Sequence, residues 1–426
     1  MHPLVGIGYE AVAQLARGVA ALTPASESKL LRALRARRGI RARFTSWGRD
    51  GRDPDRPLVW IHAPSVGEGL QARPVLELLR AERAELQLAY THFSPSAATF
   101  AAGLPVDFRD YLPFDTRADA AIAIDALRPA ALIFSKLDVW PVLSRVASER
   151  RVRLGLISAT VAALSSRRRG VGVALVRDAY GRLDAVGAIS DEDAERLLAL
   201  GVRPDALSVT GDTRYDQVWA RASRADHAGP LLGPLASDRA TLVAGSTWPA
   251  DERVLLRAWE RVREVHPRAR LIVAPHEPTP AHLASIERWC AARRIPIARL
   301  SAADAESAVV LVDRVGVLGD LYALADAAYV GGGFHAAGLH SVLEPAAFGA
   351  PVLVGPRHKG SRDAGLLLAT GGAVEAGSAA DLAAALEQWF ADPTARAAAG
   401  ESARDTVRRG LGAARRSMEV VARLLY

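Results

Sequence analysis

From Leu58 onward, short apolar runs alternate with stretches whose apolar positions recur every three or four residues. LVWIHA, starting at Leu58, reads as a strand, and EGLQARPVLELLRAER, starting at Glu68, as the helix after it. LQLAYTHF predicts the next strand, and SPSAATFAAGL a helix opened by a serine cap and closed by Gly103. ADAAIAIDALRP predicts a helix, and AALIFSK, VRLGLISAT and AVGAIS predict strands. The pattern loosens from Gly211 to Pro234 and then restarts. ATLVAGS, ARLIVAPH, AVVLVDR, AAYVGGG and APVLVGP predict strands. ADERVLLRAWERVREVH, PAHLASIERWCAARR, DLYALAD and SVLEPAAFG predict helices between them, and the chain ends helically. Short apolar strands separated by amphipathic helices predict parallel sheets covered on both faces. Two such series predict an α/β chain of two Rossmann-like domains facing a cleft, with ligands at the C-terminal ends of the strands. The expected division is a leading segment over 1–57, a first domain over 58–215, a linker over 216–239 and a second domain over 240–400. A C-terminal helix over 401–426 would be free to return to the first domain.

Composition changes this picture in two ways. A length of 426 residues suits two domains, and the balance of 50% hydrophobic to 24% charged residues is that of a folded chain. The single cysteine, Cys290, excludes an intrachain disulfide and a cysteine-based zinc site. The formal charge of +7 rests on arginine, since Lys29, Lys136 and Lys359 are the only lysines. That balance suits a polyanionic partner: nucleic acid, an anionic bilayer or a phosphorylated substrate. Nucleic acid is disfavoured, because Phe44 and Trp47 are nearly the only aromatics among the basic residues.

The basic charge is densest at the N-terminus. An apolar stretch, MHPLVGIGYEAVAQLARGVAALTP, is interrupted by Glu10 and Arg17, which argues against a membrane span, and it shows no basic n-region or small-residue cleavage site, which argues against a signal peptide. After it come Arg32, Arg35, Arg37, Arg38, Arg41, Arg43, Arg49 and Arg52. An apolar helix followed by a basic, aromatic-containing stretch predicts a segment lying on an anionic membrane; the plainer reading is a helix packed on its own domain.

Three strand-end turns carry candidate chemistry. In PSVGE, Glu68 falls near a helix N-terminus with no cation beside it in sequence, where dipole and free N–H groups would hold it ionised as a general base. In FSKLDVWPVL, Lys136 and Asp138 would share a side if the chain stayed extended, before Trp140 and Pro141 end the strand. In YVGGGFHAAGLHSVLEPAAFG, the turn Gly331–Gly333 precedes a helix expected to open near Ser341. Its glycines and N–H groups suit a phosphate, and Glu344 suits the two hydroxyls of a ribose. Ser246, Thr247, His276 and Glu277, on further strand-end turns, are placed to face the cleft. The histidines lack metal-site spacing, and nucleophile-elbow, Walker A and dinucleotide glycine motifs are absent. Those absences set aside serine hydrolases, P-loop ATPases and dehydrogenases.

Together, WIHAPSVGE, VWPVL, GDTRYD, AGSTW and GGGFHAAGLHSVLEPAAFGAPVLVGP resemble the signature stretches of the Kdo transferases, from about Val59 to Gly377. These glycosyltransferases move 3-deoxy-D-manno-oct-2-ulosonic acid (Kdo) from CMP-Kdo to a lipid A precursor. The resemblance implies a GT-B fold, inverting transfer without metal or other cofactor, and peripheral attachment to the cytoplasmic face of the inner membrane. It assigns Glu68 as base and Asp138 as the second acid of the Trp-Pro motif. Pro275 and His276 fall at the cytidylate position. Gly316 falls on a nucleotide-facing loop, and Gly332, Gly333, Ser341, Val342, Leu343 and Glu344 at the phosphate and ribose contacts. Ser246 and Thr247 open the donor domain, and Arg214 stands where the family's junction lysine would meet acceptor or phosphate. The chain departs where Lys136 replaces the first acid of the Trp-Pro motif. It departs again where Ser158 to Thr160 replace Asn-Ala-Arg, with Arg167 to Arg169 shortly after, and where Val315 to Val317 replace Met-Gly-Glu. Alternatives are another GT-B nucleotide-sugar enzyme, such as a UDP-sugar transferase or epimerase, and a non-catalytic binder of sugar nucleotide or lipid A.

Overall fold

A computed structural model of the chain describes residues 3–22, 28–162 and 170–425; Arg167 to Arg169 lie outside the described residues. The chain forms two units, Met1–Gln217 with Leu411–Tyr426, and Val218–Gly410. In the first, β1 (Leu58–His62), β2 (Gln87–His92), β3 (Phe108–Tyr111), β4 (Ala131–Ser135), β5 (Arg153–Ala159), β6 (Ala185–Ala188) and β7 (Leu207–Val209) form one sheet. Its order is β3-β2-β1-β4-β5-β6-β7, and every pairing is parallel. Alternate residues of β1 enter opposite cores. Leu58 and Trp60 join Phe44 and Leu132 on one face, and Val59 and Ile61 join Leu76 and Val421 on the other.

The second unit repeats the design with β8 (Thr241–Thr247), β9 (Arg270–Pro275), β10 (Ile297–Arg299), β11 (Val309–Leu311), β12 (Ala327–Val330), β13 (Val352–Val354) and β14 (Ala373–Glu375). These form a parallel sheet ordered β10-β11-β9-β8-β12-β13-β14.

The structure differs from the sequence pattern at several places. Residues within the expected linker belong to a helix, Thr213–Ser223, inside which the boundary between the units falls. Further along, Leu232 and Leu235 are buried in the core of the second unit. The C-terminal stretch is two helices. Pro393–Arg409 belongs to the second unit and Ala413–Ala422 to the first, where it packs on β5, β6 and the helix Val66–Glu82. Asp216 caps the latter helix, accepting from the N–H groups of Gly412 (2.8 Å) and Ala414 (2.9 Å). The helix Ser96–Ala102 ends at Gly103 as expected, but it starts after Pro95 with no side-chain cap.

Part of the basic N-terminal stretch is turned inward: Arg37 and Arg52 are buried, whereas Arg32, Arg35, Arg38, Arg43 and Arg49 are exposed. The helix Ile40–Asp50 buries Ile40 and Phe44, and Phe44 packs edge-on to Phe108 with centroids 4.9 Å apart. Arg37 is 3% exposed, donates to the Leu112 and Ala33 carbonyls and lies 4.1 Å over the Phe93 ring; burial lowers its pKa to about 10. Arg52 donates to the Leu127 carbonyl and Gln87 Oε1, Arg43 pairs with Asp110 and Arg41 with Asp119. For these four arginines the plainer reading holds: they fasten the segment to its own unit.

Candidate functional site

Each sheet has one place where its strand order reverses, and there the following helices go to opposite faces and leave an open crevice at the strand ends. In the first sheet it is between β1 and β4; in the second, between β8 and β12. Most of the candidate groups lie on turns at these two places; Arg214 follows β7, at the edge of the first sheet, and Gly316 follows β11.

At the first, β1 ends in a bend, and Ser65 precedes the helix Val66–Glu82, which carries Glu68 in its opening turn. Ser-x-x-Glu at a helix start is the pattern of a capping box. Here Ser65 makes no cap, and its hydroxyl donates to Glu68 Oε2 instead. Glu68 Oε1 faces Lys136 Nζ at 3.1 Å, and Ser135 Oγ donates to the Glu68 carbonyl at 3.2 Å. A cation absent from the local sequence thus arrives across the sheet. Burial pushes the Glu68 carboxyl up, but the Ser65 hydroxyl and the Lys136 charge outweigh it and hold it below its ordinary value. The carboxylate is ionised, half-buried and oriented by two donors.

Lys136 does not continue the strand as the alternation argument assumed. Its φ of 69° turns the chain sharply after β4, and its N–H donates to Ile157 O at 2.9 Å. Ser158 and Ser246, with φ of 50° and 53°, also hold left-handed backbone at strand ends. Such strain in non-glycine residues persists where the surroundings impose it, and it concentrates at functional sites. The turn carries the half-buried Asp138 and leads to Trp140, whose indole donates to His62 Nε2 at 3.0 Å. His62 therefore keeps its proton on Nδ1, next to the Thr91 carbonyl at 3.0 Å, and full burial lowers its pKa to about 3. Arg214 forms a two-pronged pair with Asp212, at 2.9 and 2.7 Å.

At the second place, Asp251 organises the turns. This fully buried carboxylate accepts from the N–H groups of Trp248 (2.9 Å), Gly332 (2.8 Å) and Phe334 (3.0 Å) and from the Tyr329 hydroxyl (3.0 Å). Gly332, expected to meet phosphate, has therefore spent its N–H. Its role is steric, since at φ 92° an added Cβ would strike the Gly338 carbonyl. Among the described residues no acceptor within the chain takes the N–H groups of Gly333, Ser341, Val342 or Leu343. The helix opens at Leu343, later than expected, and Val342 and Leu343 bury their side chains, so only their backbones can face a ligand. Thr247 is also corrected: it is fully buried, and its hydroxyl donates to Glu252, which His282 holds from the other side. Ser246 remains partly exposed beside it.

Pro275 ends β9, and the exposed His276 stacks on Trp248 (4.6 Å) and His340 (4.4 Å). Glu344 lies 3.8 Å from Arg221, which also grips Asp320 and reaches the Gly316 carbonyl. Burial raises the Glu344 pKa, against the opposing charge of Arg221. Asp251→Asn, with one acceptor oxygen in place of two, should destabilise the second unit by about 3 kcal/mol. A lower urea midpoint would register this.

Comparison with known proteins then decides the family. Residues 34–217 match the family described as 3-deoxy-D-manno-octulosonic-acid transferase (kdotransferase). The chain is 31% identical over 398 residues to the 3-deoxy-D-manno-octulosonic acid transferase of Bordetella pertussis, covering 89% of this chain and 90% of that one. The chain belongs to the Kdo transferase family. The enzyme of the same name from Haemophilus influenzae is 25% identical, with 91% of each chain covered. Among solved structures, a UDP-GlcNAc 2-epimerase from Neisseria meningitidis superposes with a TM-score of 0.62 at 15% identity, over 86% of this chain and 99% of that one. That likeness shows the GT-B fold.

Glu68, Lys136, Asp138 and Arg214 of this Kdo transferase family member all lie within the matched 34–217. Sequence reading missed the residues that hold these groups: Ser65, Asp251 and Arg221. A Ser-x-x-Glu signal pointed to Ser65. Asp251 left only a local one, an acid in the first turn of the helix Pro249–Val265 that accepts from Trp248, while its other partners lie about 80 residues away; Arg221 left none, because its partners lie about 100 residues away.

Proposed function

We propose that this enzyme transfers Kdo from CMP-Kdo to a lipid A precursor, lipid IVA, with inversion and without a metal ion. The observation that carries this reading is the oriented, ionised Glu68 at the strand-order reversal of the first sheet. The acceptor hydroxyl attacks the anomeric carbon of Kdo as Glu68 takes its proton. The anomeric C–O bond to CMP breaks, and its electron pair leaves on the phosphate oxygen. Lys136 keeps Glu68 ionised and is available to a Kdo carboxylate or an acceptor phosphate. In the second unit, the free N–H groups of Gly333, Ser341, Val342 and Leu343 suit the leaving phosphate. His276 with Pro275 suits the cytosine, Glu344 the ribose and Gly316 the loop above them.

The acceptor is a lipid, and two features support work at the cytoplasmic face of the inner membrane as a peripheral protein. The second unit carries equal numbers of acidic and basic side chains, so the net +7 resides on the first. The helix Pro3–Leu22 is inverted: Val12, Leu15 and Val19 are exposed, at 67%, 69% and 43%, while Tyr9, Glu10 and Arg17 bond inward. Apolar residues on the solvent side suit an anionic lipid surface. No helix of the described residues is long and apolar enough to cross a membrane.

The deciding assay follows CMP release and product mass with CMP-Kdo and detergent-dispersed tetraacyl lipid A precursor, in EDTA. Glycosylated lipid is expected at an undiminished rate. CMP-Kdo binding without product would favour a non-catalytic binder, and turnover of UDP-GlcNAc instead would favour a UDP-sugar enzyme.

A further inference from the structure

The N-terminal helix is wired to the turn that carries Lys136. Asp115 lies beyond β3 and is 5% exposed, and its carboxylate has three donors. Oδ1 accepts from the Leu143 N–H at 2.7 Å, while Oδ2 accepts from the Val142 N–H at 3.1 Å and the Tyr9 hydroxyl at 2.8 Å. Val142 and Leu143 open the helix Pro141–Glu149, whose N-cap residue, Trp140, has no side chain that can cap it. Asp115 is thus the cap, supplied by a distant loop. Trp140, directly before it, is fastened to His62 at the end of β1, and the turn between Lys136 and Trp140 is held at Leu137 by the Tyr180 hydroxyl (2.7 Å). The same N-terminal helix makes two further contacts just past Asp115. Glu10 accepts from the Arg117 N–H at 3.1 Å, and Arg17 lies 3.8 Å from Asp119.

We propose that Asp115 is a positioning residue through which the seated N-terminal helix sets the Trp140–Pro141 turn and so holds Lys136 against Glu68. Transfer then depends on how that helix is seated, and Tyr9 is the contact that reports it. Burial favours the neutral form of Asp115 and pushes its pKa up to about 6. Its charge is kept by the three donors, of which only Tyr9 belongs to the helix. A surface that draws the exposed Val12, Leu15 and Val19 outward pulls on Tyr9, and one that presses the helix home tightens it. This rests on the reading of Glu68 as the base.

The test uses the full chain on vesicles carrying acceptor, with Tyr9→Phe, Asp115→Asn and the double variant. The readouts are kcat and KM for CMP-Kdo, and amide hydrogen exchange over residues 136–146. Tyr9→Phe is expected to lower kcat about tenfold with the KM for CMP-Kdo within about twofold, and to speed exchange at Val142 and Leu143. The double variant should lose no more than Asp115→Asn alone, because both act through one contact. Unchanged kcat and exchange in Tyr9→Phe, or losses that add in the double variant, would overturn the coupling. Undiminished activity in Glu68→Gln would instead overturn the base reading, whereas the exchange result depends on no assumption about what is transferred.

Discussion

Glu68→Gln is expected to lower transfer from CMP-Kdo by about 10²–10⁴-fold while leaving donor binding intact. The substitution keeps the volume and both neighbours, so the Ser65 hydroxyl still finds an acceptor and Lys136 loses only its charge partner. What disappears is the group proposed to take the acceptor proton. Because the donor contacts proposed for the second unit are untouched, the KM for CMP-Kdo should stay near the wild-type value. Parallel CMP-release and calorimetric binding measurements separate the two quantities. Retained transfer would remove Glu68 from the mechanism, and lost donor binding would make it a donor contact instead.

Lys136 should show the second largest effect, with a recognisable pH signature. Its ammonium lowers the Glu68 pKa against burial, which acts the other way. Lys136→Met removes that charge and its hydrogen bond, so the Glu68 pKa rises. The acid limb of kcat/KM then moves to higher pH, and transfer falls most below neutrality. Lys136→Glu should move it further, because two carboxylates about 3 Å apart resist joint ionisation. It also places there the acid that the resemblance puts first in the Trp-Pro motif. Both variants should recover activity toward alkaline pH. An acid limb that stays in place would mean that Lys136 serves substrate binding and leaves the base alone.

The folded state carries the same linkage. A carboxyl whose pKa is lowered by folding adds stability above its unfolded pKa and loses it as pH falls through the folded value. The Glu68–Lys136 pair therefore contributes at neutral pH and fades under acid conditions. Because Glu68 is only half-buried, the contribution is small beside the catalytic effect.

The largely apolar central strands were legible in the sequence. LVWIH, QLAYTH and ALIFS are buried along their whole length, and only a strand covered on both faces reads that way. The strands that escaped are β3, β7, β10 and β14, the four sheet edges. They are three or four residues long and only partly buried, as in the LSV of β7 and the IAR of β10. Half-covered, short and facing water on one side, an edge strand has too little apolar pattern to stand out from a loop. Arg37 and Arg52 misled for a related reason. Composition records charge but not direction, and Arg37 and Arg52 point inward because backbone carbonyls await them.

By itself the sequence determined that the chain holds two parallel α/β units, that Glu68 opens a helix after the first strand, and that a glycine-rich turn follows a strand of the second. Each depends on neighbours within about ten residues, whose periodicity and turn chemistry are local. Only the tertiary structure decided what those groups are. It set Lys136 beside Glu68 from 68 positions away, spent the Gly332 N–H on Asp251, buried Thr247 and tied Tyr9 to the Trp140–Pro141 turn through Asp115. The reason is physical. A carboxylate takes its pKa and orientation from whatever charges and donors lie within a few ångströms, and parallel β-strands bring together residues that the sequence keeps far apart.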